Sequence, residues 1–260
     1  MVEYAFIGVE GNHDQAFIGK ILKLFLQLQD FREPKAGGGL IEHLDPFWSK
    51  LIPSYPTKKG ELYKRLPMPS ILYNEELSVA IYDGGGKSLS KNLNLLLEND
   101  SIDKDKLSSF IIIADADNKP INSVVKHYHQ CFQNYFPNFP NQAGKINHGK
   151  LTSTGIYVLP NNTSQGTLDQ LLCQCGEVTY SEFMGRGKVY LNNFTEDERK
   201  QLKWKQFSYE KALIATIVSV LKPGMTNTVS ISQNNWISEQ TKEEVNDLKQ
   251  LVEFLANVLK

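Results

Sequence analysis

Cysteine is scarce: Cys131, Cys173 and Cys175 are the three in 260 residues, and no C-x-x-C pair occurs. An odd, unpaired set argues against a disulfide framework and against a zinc ribbon, and reduced thiols are the expectation. Long apolar runs are also missing. No stretch approaches the roughly 20 residues that a membrane-spanning helix needs, so no membrane partner is expected. Nor is there an excess of charge of one sign. With 28 Lys and Arg against 29 Asp and Glu, the formal net charge is −1. That gives no global field for a polyanion, and contact with DNA or RNA would have to rest on local basic patches. The opening MVEYAFIGVEG carries an acid at position 3 and no basic region before its apolar run. This is the pattern of a first strand rather than of an export signal, and a cytoplasmic location follows as the expectation.

What is present is an ordinary globular composition, 41% hydrophobic and 22% charged, in a length that suits one α/β core with an appendage. Residues 4–9 read as a strand bounded by Gly11, and residues 13–28 as a helix with Phe17, Ile18, Ile21, Leu22, Phe25 and Leu28 at helical spacing. Further strands are expected over 77–82, 110–114 and 155–159, with helices over 89–97, 121–132 and 166–173. The runs Val79 to Ile81 and Phe110 to Ile113 lack period-two alternation, as strands do when a parallel sheet is covered on both faces. Residues 31–76 hold Gly37 to Gly39 and prolines 34, 46, 53, 56, 67 and 69, an irregular insertion with short helices. The predicted organisation is an α/β core over 1–180, mainly parallel, with right-handed crossovers and helices on both faces. A helical extension over 181–260 packs on it, with helices at 207–221 and 241–259, the latter opening on the Thr241 to Glu244 signal.

In open α/β sheets the carboxyl ends of the strands line the site. Glu10 closes the first strand with Asp14 one turn beyond it, and Asp115 and Asp117 close the third with side chains pointing the same way. Two carboxylates about 5 Å apart repel by roughly 3 kcal/mol at an effective dielectric near 20, so four together take up protons or recruit a cation. Mg2+ or Mn2+ suits carboxylate and water ligands and keeps positions open for phosphate oxygens. The competing assignments are strand-end caps for Asp115 and Asp117, a turn residue for Glu10 and a first-turn acid for Asp14.

The run Val9-Glu10-Gly11-Asn12-His13-Asp14 resembles the strand–Glu–Gly signature of TOPRIM domains, and Ile113-Ala114-Asp115-Ala116-Asp117 resembles their D-x-D motif. This resemblance covers residues 4–180. It implies a TOPRIM-like, Rossmannoid fold in which Glu10, Asp115 and Asp117 are catalytic, and these three with Asp14 bind magnesium or manganese during phosphodiester cleavage or transfer. A closer likeness is to a prokaryotic stand-alone TOPRIM-related family of unknown function, similar to the TOPRIM part of OLD nucleases. It rests on Tyr82-Asp83-Gly84-Gly85, Gly155 to Pro160, Gly166-Thr167-Leu168-Asp169 and Lys211-Ala212. The chain lacks a topoisomerase-type tyrosine context and the ATPase module of OLD nucleases, so DNA relaxation is not implied. A metal-dependent nuclease is the leading expectation, and a non-catalytic binding or regulatory module in defence or repair is the alternative.

Asp83-Gly84-Gly85-Gly86-Lys87-Ser88 is not a phosphate loop of the Walker type, because Ile81 stands where the leading glycine belongs. Its glycines still permit backbone contact with an anion, and Gly84, Gly85, Lys87 and Lys119 are candidate phosphate or nucleic-acid contacts, against a plain tight turn. His127 and His129, two apart on one helix, face different directions and do not share a metal. His13, between Glu10 and Asp14, is a candidate for proton transfer. The stretch from Arg199 to Phe207 interleaves basic and aromatic residues, which suits nucleic acid, against a solvated amphipathic helix that the preceding Glu196, Asp197 and Glu198 favour through local pairing.

Overall fold

The computed structural model describes residues 2–30, 45–51 and 68–260. Most of the expected insertion, including Gly37 to Gly39 and prolines 34, 53, 56 and 67, lies outside these residues. Seven strands form one sheet: β1 Glu3–Val9, β2 Gln29–Asp30, β3 Ser70–Tyr73, β4 Leu77–Asp83, β5 Leu107–Asp115, β6 Ile146–His148 and β7 Ser153–Leu159. Their order is β2-β3-β4-β1-β5-β7-β6. The central four run parallel, with Val9 opposite Asp83 on one side and Ile113 on the other, and Asp115 opposite Leu159. The edge pairings β2–β3, β3–β4 and β6–β7 are antiparallel. The four central strands are those expected from the sequence. The short β2, β3 and β6 were not, because too few residues alternate in them to give a pattern.

Ten α-helices stand among the described residues: α1 Asn12–Phe25, α2 Leu89–Glu98, α3 Ile121–Phe132, α4 Leu168–Thr179, α5 Ser181–Asn192, α6 Glu196–Gln201, α7 Ser208–Leu221, α8 Asn227–Gln233, α9 Glu239–Glu244 and α10 Asn246–Val258. Alternate residues of each central strand enter opposite cores. Phe6, Ala80, Phe110, Ile112, Ile156 and Val158 pack under α2 and α3, whereas Ile7, Val9, Ile81, Ile111, Ile113 and Tyr157 pack under α1, α4 and the C-terminal helices. Burial on both faces is why the strands read as unbroken apolar runs.

The C-terminal helices are part of this second layer. α10 buries Leu248, Leu251, Val252, Phe254, Leu255 and Val258. At about 1.5–3 kcal/mol for each side chain, its gross contribution matches the net stability of a typical domain. Ser109 Oγ donates to Val258 O at 2.6 Å, and a Cβ on Gly155 would come within 2.8 Å of Phe254. The single helix expected over 241–259 is two. Ser238 caps α9 and places Thr241 at its third position, and Val245, extended at φ −105° and ψ 100°, separates α9 from α10. α5 and α8 were not anticipated, and the amphipathic helix expected from Arg199 is α6, which ends at Gln201. Gly187 reads as a breaker, yet it sits where a Cβ would come within 3 Å of Leu213 and Ile217, so it lets α5 and α7 approach closely. No helix among the described residues is long and apolar enough to cross a membrane.

Candidate functional site

The parallel register brings the carboxyl ends of β1, β4 and β5 to one edge of the sheet, facing the N-termini of α1 and α4. A cavity of about 230 Å3 opens there, lined by Glu10, Gly11, Asn12, His13, Asp14, Gly86, Asp115, Leu168, Asp169 and Lys211. Glu10 follows β1. Asp14 stands in the first turn of α1, where its Oδ2 accepts the Gly11 N–H at 2.8 Å. Asp115 ends β5, and its Oδ1 accepts the Leu168 N–H at the start of α4 at 2.9 Å. Both acids therefore cap helices, as the plain assignment had it, and both line the cavity as well. The partial positive charge at two helix N-termini favours carboxylates there.

The electrostatics record this crowding. Burial pushes Asp14 up to about 7, and the charges of Glu10, Asp169 and Asp83 add to the shift while the Gly11 N–H opposes it. Burial also raises Asp115 well above the usual carboxylate range, reinforced by Asp14 and Glu10 and resisted by the Leu168 N–H. Glu10 is raised by burial and by Asp117, against Lys119, the Asp115 N–H and Lys211. Glu10, Asp14 and Asp115 thus act on one another, although about a hundred residues separate the two motifs. Among the described residues, no three His, Cys, Asp or Glu side chains stand in metal-holding geometry.

Asp117 acts on this group from outside the cavity, as the largest neighbouring charge on Glu10. It does not line the cavity. Its backbone is left-handed at φ 50° and pairs with Gly166 through hydrogen bonds of 2.8 and 3.0 Å. The D-x-D pair therefore diverges after Asp115, because the strand ends and the chain turns to meet the α4 loop.

At the candidate anion contacts Gly84 and Gly85 the backbone donors are engaged within the protein. The Gly84 N–H donates to Val9 O at 2.9 Å, the Gly85 N–H to Asp83 Oδ1 at 2.9 Å, and the Gly86 N–H to Glu10 O. The loop is a tight turn that ties β1 to β4, and it presents Gly86 to the cavity. Lys87 and Lys119 are exposed and lie outside the lining, although the charge of Lys119 reaches Glu10. A Cβ on Gly84 would lie 2.6 Å from the backbone Cα of Leu89. Gly84→Ala is therefore expected to cost about 1–3 kcal/mol, read as a lower melting temperature. An unchanged melting temperature would show that the loop can shift freely.

Matched over residues 4–260 is a family model described as "Protein of unknown function (DUF3226)". The chain belongs to this family. A comparison with curated proteins finds no match. The crystal structure of hypothetical protein PH0156 from Pyrococcus horikoshii OT3 is similar in fold, with a TM-score of 0.50 and 13% identity over 99% of this chain and 95% of that one. At that identity the likeness concerns the fold alone.

In this DUF3226 chain two further residues line the site that spacing arguments passed over, Asp169 and Lys211. Asp169 is raised by burial, against Lys211 and His13, and Lys211 Nζ lies 3.9 Å from its Oδ2. The signal for them is the family likeness at Gly166 to Asp169 and at Lys211-Ala212, which by itself assigns neither a role. His13 lines the cavity as anticipated, and burial lowers its pKa, with Asp169 opposing and Lys211 adding to the shift. The basic and aromatic stretch after α5 is a structural clasp. Arg199 lies 5.4 Å from the ring centres of both Trp204 and Tyr209 and donates to Leu191 O, so these groups are engaged with one another.

Proposed function

We propose that the cavity is the active site of a divalent-metal-dependent phosphodiester or phosphoryl enzyme, a nuclease acting on DNA or RNA, with Mg2+ or Mn2+ held by Glu10, Asp14 and Asp115. The observation that carries this reading is the meeting of these three acids beside Lys211 in one cavity at the carboxyl edge of the sheet. The donor set fits such an ion. It is all carboxylate oxygen, which magnesium and manganese prefer, and each acid is raised by burial and by its neighbours, a strain that a divalent charge relieves. Asp14 and Asp115 each commit one oxygen to a backbone N–H, which leaves the other for an ion. Closing the ligand shell requires the side chains to draw together or water to fill the gap, and magnesium habitually retains water.

When bound, the ion supplies Lewis-acid polarisation of a phosphoryl oxygen and a lowered pKa for its water. The protein contributes the rest. Lys211 offers an ammonium to the charge that develops on the phosphoryl oxygens. His13, whose charged form burial disfavours, is held as a neutral proton acceptor beside the acids. Asp169 orients Lys211. Asp117, whose charge reaches Glu10 from outside the lining, is assigned to the outer shell of the ion. The resemblance of the Glu10 and Asp115 motifs to TOPRIM and OLD-type nucleases supports this reading.

The test is incubation of the purified chain with single- and double-stranded DNA, RNA and nucleotides, with Mg2+ or Mn2+ and with EDTA. Cleavage dependent on the metal is expected. Inactivity on every substrate would favour the binding or regulatory module. Asp117→Asn is expected to weaken metal binding less than Asp115→Asn does, by calorimetry, because only Asp115 lines the cavity. The reverse order would restore Asp117 as the inner ligand.

A further inference from the structure

A second cavity, of about 200 Å3 and open to solvent, lies along the flank of α1 beyond its first turn and is lined further by residues of β2, β3 and α8. Its side-chain donors are Gln15, Lys20, Lys23, Ser70, Thr228 and Ser232, of which three have no partner among the described residues. Among the described residues, Lys20 makes no ion pair, and the side-chain hydroxyls of Ser70 and Thr228 make no hydrogen bond. Lys23 pairs with Asp30 at 3.0 Å, so among the described lining residues two lysines stand with one aspartate. Ser232 donates its own proton to Val229 O at 3.0 Å. Burial, followed by the charge of Lys23, lowers the pKa of Lys20, as expected of a lysine that lacks a counter-ion.

We propose that this cavity binds a small phosphate-bearing anion, inorganic phosphate or a phosphomonoester, through Lys20, Lys23, Ser70 and Thr228. A donor-lined cavity of this size, with two lysines to one aspartate, calls for a compact ligand with many acceptor oxygens and no donors of its own. A neutral sugar or amide would leave Lys20 uncompensated. The first cavity, whose charged lining is four acids and Lys211, offers the opposite chemistry. Both cavities sit on α1, where Gln15, next to Asp14, lines the second and donates to Ile81 O at 2.8 Å. The proposal does not depend on the metal or on nuclease activity.

Inorganic phosphate, and separately glycerol phosphate, are titrated calorimetrically into the full, metal-free chain at constant ionic strength. One saturable site is expected for at least one of the two, and the tighter of them identifies the source. Affinity should fall tenfold or more in Lys20→Gln and several-fold in Thr228→Val, with Lys211→Ala unchanged. Absence of saturable binding for both probes would overturn the proposal. So would wild-type affinity in Lys20→Gln, or a loss confined to Lys211→Ala, which would place the anion in the first cavity.

Discussion

Asp115→Asn is expected to lower metal-dependent phosphodiester cleavage by about 10²–10³-fold while the chain stays folded. Asparagine keeps an oxygen for the Leu168 N–H that Asp115 now accepts at 2.9 Å, so the start of α4 is retained. What disappears is one negative charge at the centre of the cavity. At about 4 Å and an effective dielectric near 20, a unit charge pair is worth roughly 4 kcal/mol, and a divalent ion feels more. Lys211→Ala is expected to cost a similar factor, about 10²-fold, because it removes charge stabilisation that matters most in the transition state. Its effect should fall on kcat more than on KM. Lys119→Ala, exposed and outside the lining, should cost only a few-fold. Equal residual activity in the wild type and Asp115→Asn would mean that the activity comes from a contaminant, and full activity in Lys211→Ala would remove that residue from the mechanism.

Without divalent metal, the chain should lose stability as pH rises from 4 to 7. Aspartate in an unfolded chain titrates near 3.9, whereas burial and its acidic neighbours push Asp14 up to about 7 in the fold. Between those values the folded state keeps a proton that the unfolded state has released, so stability is full below about pH 4 and falls as pH rises through about 7. Glu10, Asp115 and Asp169 are shifted in the same direction. His13, shifted down, works against them, but it is one group against four carboxylates. For Asp14 alone the loss is on the order of 4 kcal/mol, which in a chain of this size lowers the melting temperature by about 8–16 °C. Saturating Mg2+ should remove most of the decline, and Asp14→Asn should flatten it, since asparagine still accepts the Gly11 N–H. Thermal melts in EDTA from pH 4 to 8 measure this directly. A melting temperature that rises across the range would show the acids to be compensated already.

The site was legible in proportion to how local its determinants are. Glu10, Asp14 and Asp115 could be placed because each stands at the end of a strongly apolar strand or in the following turn, and a parallel sheet sends those ends to one edge. The same logic brings Asp117 within electrostatic reach of Glu10 but not into the lining. Two residues apart on a strand means a shared direction only while the strand lasts, and here the chain leaves extended geometry after Asp115. Lys211 and Asp169 could not be derived from spacing, since nothing local says that α7 or α4 will lean over the carboxyl edge. The Gly84 to Gly86 run left two readings open because glycine serves a tight turn and an anion cradle alike, and only the partners of its N–H groups, which favour the turn, separate the two. The C-terminal helices were visible as amphipathic runs, but their ends were not, since Val245 breaks the helix by its buried place in the core rather than by any breaker residue.

The central claim is that Glu10, Asp14 and Asp115 hold one divalent ion together, and titration of Mn2+ into the metal-free chain, followed by calorimetry and by the resonance signal of the free ion, tests it most directly. One saturable ion per chain is expected in the wild type, with affinity reduced at least about tenfold in each of Glu10→Gln, Asp14→Asn and Asp115→Asn. Wild-type affinity in all three variants, or no saturable binding at millimolar Mn2+, would contradict it.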